Sequence, residues 1–385
     1  MAEVLTGING SLIQWAREYC HMSPEEAAKA IGIDVERLKK WERGEDYPTY
    51  SKLKVISRVF HKPSALFFFP EPPSIQPPIG ELRTLSHEVV DRFSSNIVVQ
   101  FDKAAAYQIS LEELYGNRYC IFSEKSLFPT KMEDLCKYLR EKMEFPIQAQ
   151  KARKSTKVVF EIFREKFYQL GIYVFKDSFK DNTVSGLCIY DEVFPVIVIN
   201  NAMSFARQIF TLFHELYHLI NETNGAEIIN DDYYQYLNHT QCITEKECDE
   251  FANMFLVPED DFNMELKKAI ITEERIVELS CIYSVSREAI MYKLLQRRLI
   301  STTEYSMLKE SFYGEALREK SKNGEKGGGN YYASKLAYLG RQFTGEVFNQ
   351  YFSGKIDGAK AGEMLNSRID HLPKLEIAFY RGVKA

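Results

Sequence analysis

Two histidines and a glutamate stand inside one apolar run, Phe210-Thr211-Leu212-Phe213-His214-Glu215-Leu216-Tyr217-His218-Leu219-Ile220, spaced as His-Glu-x-x-His. On a helix, residues four apart share a face one turn apart, so His214 and His218 can offer imidazole nitrogens to one metal ion. Glu215 lies about 100° further round the axis. From there its carboxylate reaches a water on such an ion without ligating it, the general-base position of metal-assisted hydrolysis. A short motif on its own can also be two satisfied histidines on a buried helix, so its surroundings decide its meaning.

A catalytic zinc takes three protein ligands and keeps a fourth position open. Downstream, Glu245-Lys246-Glu247-Cys248-Asp249-Glu250-Phe251-Ala252, followed by Met254, Phe255, Leu256, Val257 and Pro258, reads as a second apolar-faced helix. Glu245 and Asp249 fall on one side of it and Glu247 on another. Glu245 is therefore the expected third ligand. Asp249, one turn on, is expected to accept a hydrogen bond from the outer nitrogen of a ligating histidine. The implied cofactor is Zn2+. An oxyanion stabiliser is needed as well, and His239, Tyr233 and Tyr234 between the two helices are candidates that spacing does not separate from surface loop residues.

The elements that must hold these helices can be read on both sides. Ile172-Tyr173-Val174-Phe175, Gly186-Leu187-Cys188-Ile189-Tyr190 and Pro195-Val196-Ile197-Val198-Ile199-Asn200 are short β-branched runs parted by turn residues, hence a small sheet before the histidine helix. Helices are expected over 131–143 and 154–169. Another runs from His87 to Leu114, with Val90, Phe93, Ile97, Val98, Phe101, Ala104, Ala105 and Ile109 on a broad apolar face.

Residues 8 to 69 read as five short helices. Ser23-Pro24-Glu25-Glu26 is a helix start with an N-cap serine and proline at the first helical position, and Gly32 closes that helix. A third helix begins near Asp34, carries Val35, Leu38 and Trp41, and ends at Arg43-Gly44-Glu45. Two short helices across a tight turn, with others behind, form a helix-turn-helix domain. The run Leu38-Lys39-Lys40-Trp41-Glu42-Arg43-Gly44-Glu45 with Pro48-Thr49 resembles the Xre family of phage-repressor-like domains. The resemblance implies a second motif helix in the major groove, presenting Glu36, Arg37, Lys39 and Lys40. Against this, residues 1–70 hold ten Lys/Arg and nine Asp/Glu, little charge for neutralising phosphates. Pro24 and Glu25 also stand where DNA-binding members carry a polar, non-acidic contact. DNA binding and protein docking remain equal readings.

Together the sheet, Phe210-Thr211-Leu212-Phe213-His214-Glu215-x-x-His218, Glu245-x-x-Cys248-Asp249-x-Phe251-Ala252 and Leu256-x-Pro258 look like the ImmA/IrrE family of zinc-dependent endopeptidases. The match covers roughly residues 80 to 300. It implies a zincin-like core of gluzincin type, with Glu215 catalytic and His214, His218 and Glu245 on the metal. It also implies a protein substrate or partner: members cleave DNA-binding repressors in mobile-element or stress control, and some act as antitoxin-like partners of PIN-domain toxins. Tyr217 departs from the pattern, where a small residue is usual, and is expected to pack on the sheet or to narrow the cleft. Val257 replaces the usual methionine, a volume-compatible core exchange.

In the C-terminal third, Ile276 to Cys281 and Val285 to Leu295 read as a second helix-turn-helix with Ser286 as N-cap. Arg287, Lys293, Arg297 and Arg298 make it locally basic, as a solvated face or as a nucleic-acid surface. Lys320 to Asn330 is a flexible linker by composition. Beyond it Leu336, Leu339, Phe343, Val347 and Tyr351 define a helix and Ile356, Ala359, Ala361 and Leu365 a shorter one, an aromatic-rich tail suited to cap the core or hold a partner.

The expected fold is α+β and mostly α. Its parts are a helix-turn-helix domain (1–69), a Pro-rich linker (70–82), a zincin-like domain (83–265), a second helix-turn-helix-like segment (266–318), a Gly/Lys-rich linker (319–330) and a helical C-terminal segment (331–385). The function expected is a zinc endopeptidase cutting a regulatory DNA-binding protein. The rival is an antitoxin or transcriptional regulator that chiefly binds a toxin and operator DNA. A charge of −5 excludes global attraction to nucleic acid. Seven scattered cysteines without Cys-x-x-Cys argue against a disulfide framework. With no apolar run of membrane-spanning length and no leader pattern, a cytoplasmic location is expected.

Overall fold

The computed structural model describes residues 5–73, 93–229, 237–322 and 330–381. Outside them lie the rest of the expected Pro-rich linker (74–82), the start of the helix expected from His87, Tyr233 and Tyr234, and residues 323–329 of the Gly/Lys-rich linker. The chain is α+β and mostly helical, with one four-stranded sheet.

The first domain holds α1 (Gly10–Tyr19), α2 (Pro24–Ile31), α3 (Val35–Glu42) and α4 (Tyr50–Val59). Ser23 and Glu26 close a reciprocal capping box on α2, Gly32 ends it at φ 72°, and Asp34 caps α3 through the Arg37 amide. Leu12, Ala16, Ala27, Leu38, Trp41, Leu53 and Phe60 fill the core between them. The fifth helix is only a 3-10 turn, Ser64–Phe68, because Pro63 before it and Pro70 after it leave no room for a full α-turn to propagate. The domain rests on α5 (Ser95–Tyr115), where the Tyr19 hydroxyl donates to Asp102 at 2.5 Å and Lys62 reaches the same carboxylate at 3.1 Å.

After α5 come α6 (Met132–Lys142), α7 (Ile147–Lys151) and α8 (Thr156–Gln169), then β1 (Tyr173–Asp177), β2 (Val184–Ile189) and β3 (Val196–Asn200). The histidine helix is α9 (Phe205–Ile220), followed by a fourth strand, β4 (Gly225–Ile228), which has no β-branched run to announce it. Sheet order is β1-β3-β2-β4, with β1 parallel to β3 and the other pairs antiparallel. Alternation along the strands sends Val174, Ile197, Ile199 and Cys188 into a core with α8 and α9. Tyr173, Phe175, Leu187 and Val198 face the other way. The sheet is thus covered on both faces, which explains why its strands are buried nearly throughout.

The acidic helix is α10 (His239–Leu256), followed by α11 (Glu259–Leu266), α12 (Glu273–Tyr283), α13 (Arg287–Gln296) and α14 (Thr302–Lys322). Ile276, Leu279, Tyr283, Ile290 and Leu294 join the same core as α9 and α10. Three of the four basic residues of this segment work internally: Lys293 donates to Val257 O at 2.7 Å and lies 3.2 Å from Glu259, Arg297 reaches Asn263 at 2.6 Å and also pairs with Glu259, and Arg287 lies over Phe312, while Arg298 is exposed.

Four C-terminal helices, α15 (Tyr331–Leu339), α16 (Arg341–Phe352), α17 (Gly358–Met364) and α18 (Leu372–Arg381), complete the second face of the sheet with α5. Phe343 meets Phe175 edge-on at 5.2 Å, and Tyr107 stacks on the same ring at 3.8 Å. The buried Arg164 guanidinium binds the carbonyls of Val174, Ala337 and Tyr338 at 2.7–2.9 Å, pinning the end of α15 to the sheet. Gly340, at φ 84°, is required there because a Cβ would stand 2.7 Å from Arg164 Nη2.

Candidate metal centre

Helix α9 starts at the Ser204 N-cap and runs through the core with Ile209, Leu212, Phe213, Leu216 and Leu219 fully buried. That burial fixes its rotation, and with it the face carrying His214 and His218. Helix α10 packs along it through Phe251 and Phe255, the latter stacked on Phe213 at 4.1 Å. Tyr217 stacks on Phe251 at 5.0 Å, so its bulk packs against α10 rather than against the sheet or into the cleft. Val257 is buried in the same core.

The packing brings three donors together. His214 Nε2 lies 3.3 Å from His218 Nε2 and 3.3 Å from Glu245 Oε2, and His218 Nε2 lies 3.6 Å from Glu245 Oε1. His218 and Glu245 are fully buried and His214 is 2% exposed, whereas Glu247 is exposed. The remaining histidine nitrogens are oriented by protein: His214 Nδ1 donates to Asp249 Oδ1 at 2.9 Å, and Thr223 Oγ1 approaches His218 Nδ1 at 3.4 Å. Cys248, one turn after Glu245, also brings its sulfur within 4.8 Å of the two histidine rings. The Glu227 carboxylate lies within the same distance of His214 and Asp249. His239 is exposed at the first residue of α10.

Glu215 is fully buried one position along the helix. Its Oε1 accepts the main-chain N–H of Glu227 at 2.9 Å, and Oε2 has no hydrogen-bond partner among the described residues. Burial raises the Glu215 carboxyl above its ordinary range, opposed by the charges of His218 and His214. For Glu245 burial pushes the same way, but His218 and His214 prevail and hold it down at about 2. Burial disfavours the His214 imidazolium, yet hydrogen bonds to Asp249 and Glu245 outweigh it and keep the ring well above the usual imidazole value. Cys248 is pushed upward by burial and by the neighbouring carboxylates, so it stands as a thiol.

Sequence spacing reached His214, Glu215, His218, Glu245 and Asp249 because each lies at helical periodicity on one of two long helices. It missed Thr223, Glu227 and Arg207. Arg207 was findable, since 207, 211, 214 and 218 share one helical face. Glu227 stands on a four-residue strand with no pattern, and no local signal marks it.

On α3, Glu36 pairs with Lys39 at 3.3 Å, Arg37 lies 3.4 Å from Asp46 and over the Trp41 ring, and Lys40 is exposed. All four residues stay near the surface of the domain, remote in sequence and in packing from α9 and α10.

A helix-turn-helix domain ahead of a small sheet and two helices that gather His, His and Glu defines a regulator with a metallopeptidase-like domain. Comparison with known proteins agrees: residues 168–295 match the IrrE N-terminal-like domain and residues 13–67 a helix-turn-helix domain. The chain belongs to the ImmA/IrrE family, in the form that carries an N-terminal helix-turn-helix domain. An uncharacterized HTH-type transcriptional regulator of Sinorhizobium medicae is 31% identical over 135 residues, 35% of this chain and 88% of that protein. One of Rhizobium meliloti matches to the same extent. A Mycobacterium tuberculosis transcriptional regulator of known structure is 15% identical with a TM-score of 0.27, and the match spans 43% of this chain and 52% of that one, about half its length. No helix among the described residues is long and apolar enough to cross a membrane.

Proposed function

We propose that this chain is a zinc-dependent endopeptidase that cuts a regulatory DNA-binding protein. The observation that carries the reading is the joint placement of His214, His218 and Glu245 donors at 3.3–3.6 Å with a buried Glu215 that has one oxygen anchored and one open. Zinc suits this donor set: tetrahedral bonds of about 2.0–2.2 Å put ligand atoms roughly 3.3 Å apart, and two imidazoles with one carboxylate are the ligands of a hydrolytic site. A carboxylate and two imidazoles turned inward, without hydrophobic filling, would otherwise be a costly way to build a core.

Held by these three residues, zinc would lower the pKa of a water and polarise a peptide carbonyl. Glu215 accepts the water's proton at Oε2 and hands it to the leaving amine nitrogen. Asp249 and Thr223 keep the two imidazoles in the tautomer that leaves Nε2 free to ligate. Burial of His218, Glu215 and Glu245 keeps bulk water from competing with the substrate.

The test is incubation of the zinc-loaded chain with purified DNA-binding regulators encoded beside its gene, with mass spectrometry of the products. Cleavage by the wild type, and loss of a hundredfold to about ten-thousandfold with Glu215→Gln at unchanged zinc content, is the expected result. A second reading is favoured by the relatives, which carry the name of HTH-type transcriptional regulators. On that reading the chain chiefly binds a toxin-type partner and operator DNA, and Glu215→Gln retains full biological effect.

A further inference from the structure

All three donor residues lie on α9 and α10, yet the group that orients the general base lies on neither. Glu215 Oε1 is held by the amide of Glu227 on β4, an edge strand of only four residues paired on one side to β2. A short edge strand held by one ladder frays readily. A main-chain amide cannot be tuned by its own side chain, so its position depends on what fastens the strand.

Two side chains fasten it at Glu227, Ser185 on β2 and Arg207 on α9. The register of β2 against β4 shifts between Val184 and Gly186, which leaves Ser185 as the extra residue of a bulge. There the Ser185 hydroxyl donates to Glu227 Oε2 at 2.5 Å and approaches Glu227 O at 3.3 Å. Arg207 Nη2, on the site face of α9, lies 2.6 Å from Glu227 Oε1. The Glu227 side chain is 3% exposed and that of Arg207 32%, so a partly exposed guanidinium compensates a buried carboxylate. At the start of the strand, Gly225 lies flat on the His218 ring, where a Cβ would stand 2.5 Å from Cδ2. At the bulge, a Cβ on Gly186 would stand 2.4 Å from Thr211 Cγ2, so β2 meets α9 as closely as the backbone allows.

We infer that Arg207, by holding the buried Glu227 carboxylate together with Ser185, fixes β4 so that the Glu227 amide keeps one oxygen of Glu215 occupied and the other free. Arg207 and Glu227 are positioning residues for the general base. This rests on the zinc-peptidase reading above. Without the guanidinium, the buried Glu227 carboxylate loses its cationic partner on α9, and the strand loses its fastening there.

The test uses the full chain carrying Arg207→Gln, Arg207→Lys or Glu227→Gln. Hydrogen exchange by mass spectrometry on the peptide spanning β4, together with zinc analysis, reads the clamp without any substrate. Arg207→Gln and Glu227→Gln should speed exchange in β4 by about tenfold or more, with α9 and α10 still protected and zinc content unchanged. On fluorescein-labelled casein, kcat should fall about 10–100-fold at constant KM, and Arg207→Lys should recover part of both effects. Unchanged β4 exchange in Arg207→Gln overturns the proposal. So does exchange that spreads through α9 with no rescue by lysine, since that marks a merely structural residue. If β4 responds as expected but zinc-loaded wild type cuts neither casein nor a neighbouring regulator, the clamp stands and the peptidase reading falls.

Discussion

The face of α9 and the face of α3 both gather charged side chains on one side of a helix, and they treat them in opposite ways. On α9, His214, Glu215 and His218 are buried and held by partners on α10 and β4. On α3 the charged groups form exposed pairs between near neighbours in sequence, Glu36 with Lys39 and Arg37 with Asp46. A buried group has a single geometry enforced by the fold and is expensive to disturb. Exposed pairs contribute on the order of 0–1 kcal/mol and can be exchanged for another partner. The first face is held in one arrangement, and the second can exchange its pairs.

The contrast breaks most sharply at a ligand. His218→Ala should abolish stoichiometric zinc, seen by elemental analysis, because it leaves two ligands, His214 and Glu245, where a catalytic zinc takes three. One shell out the effect shrinks: Asp249→Asn keeps the shape but removes the charge that orients His214, and zinc affinity should fall about 10–100-fold in chelator competition. A wild-type affinity for Asp249→Asn would mean that the 2.9 Å contact is incidental.

How much of this was legible follows from where the information lies. His214, Glu215, His218, Glu245 and Asp249 were readable because a long helix repeats its face every three to four residues. The capping box at Ser23 and the turn at Gly32 were readable for the same local reason. β4 is not legible as a strand, since Gly225-Ala226-Glu227-Ile228 has neither length nor β-branched alternation and exists through its pairing with β2. The docking of the C-terminal helices was legible only as an excess of aromatics. Arg164 helps join them to the sheet from 173 residues away from Ala337 in sequence, and no local pattern encodes such a contact.

A buried charge network outside the metal site sets an intermediate scale. Glu265 on α11 takes Lys151 at 2.6 Å and Arg275 at 3.0 Å, tying α7, α11 and α12 together. Burial would raise its carboxyl, but the lysine and arginine partners hold it down at about 2. A carboxyl depressed in the folded state contributes stability that is present above its unfolded value near 4.5 and is lost as pH falls toward about 2. Glu265→Gln should therefore cost about 1–3 kcal/mol at pH 7, by urea denaturation, and the gap to wild type should close between pH 4.5 and 2. A gap that is constant across that window would assign the loss to packing instead of charge.

The smallest effect on folding is expected at α3, and there it carries the most information. Arg37→Ala should change stability by less than about 0.5 kcal/mol, because the pair with Asp46 is exposed. If α3 lies against DNA, the same substitution should weaken binding and reduce the slope of log affinity against log salt by about 1, the signature of one lost phosphate contact. Glu36 works in the other direction, since an acidic residue on that face repels phosphate. Glu36→Gln should then tighten binding and free Lys39 from its 3.3 Å pair. If both substitutions leave the salt slope untouched while weakening attachment of a protein partner, α3 is a docking surface for protein. The helix-turn-helix domain would then deliver a substrate to the site on α9 rather than hold the chain on an operator.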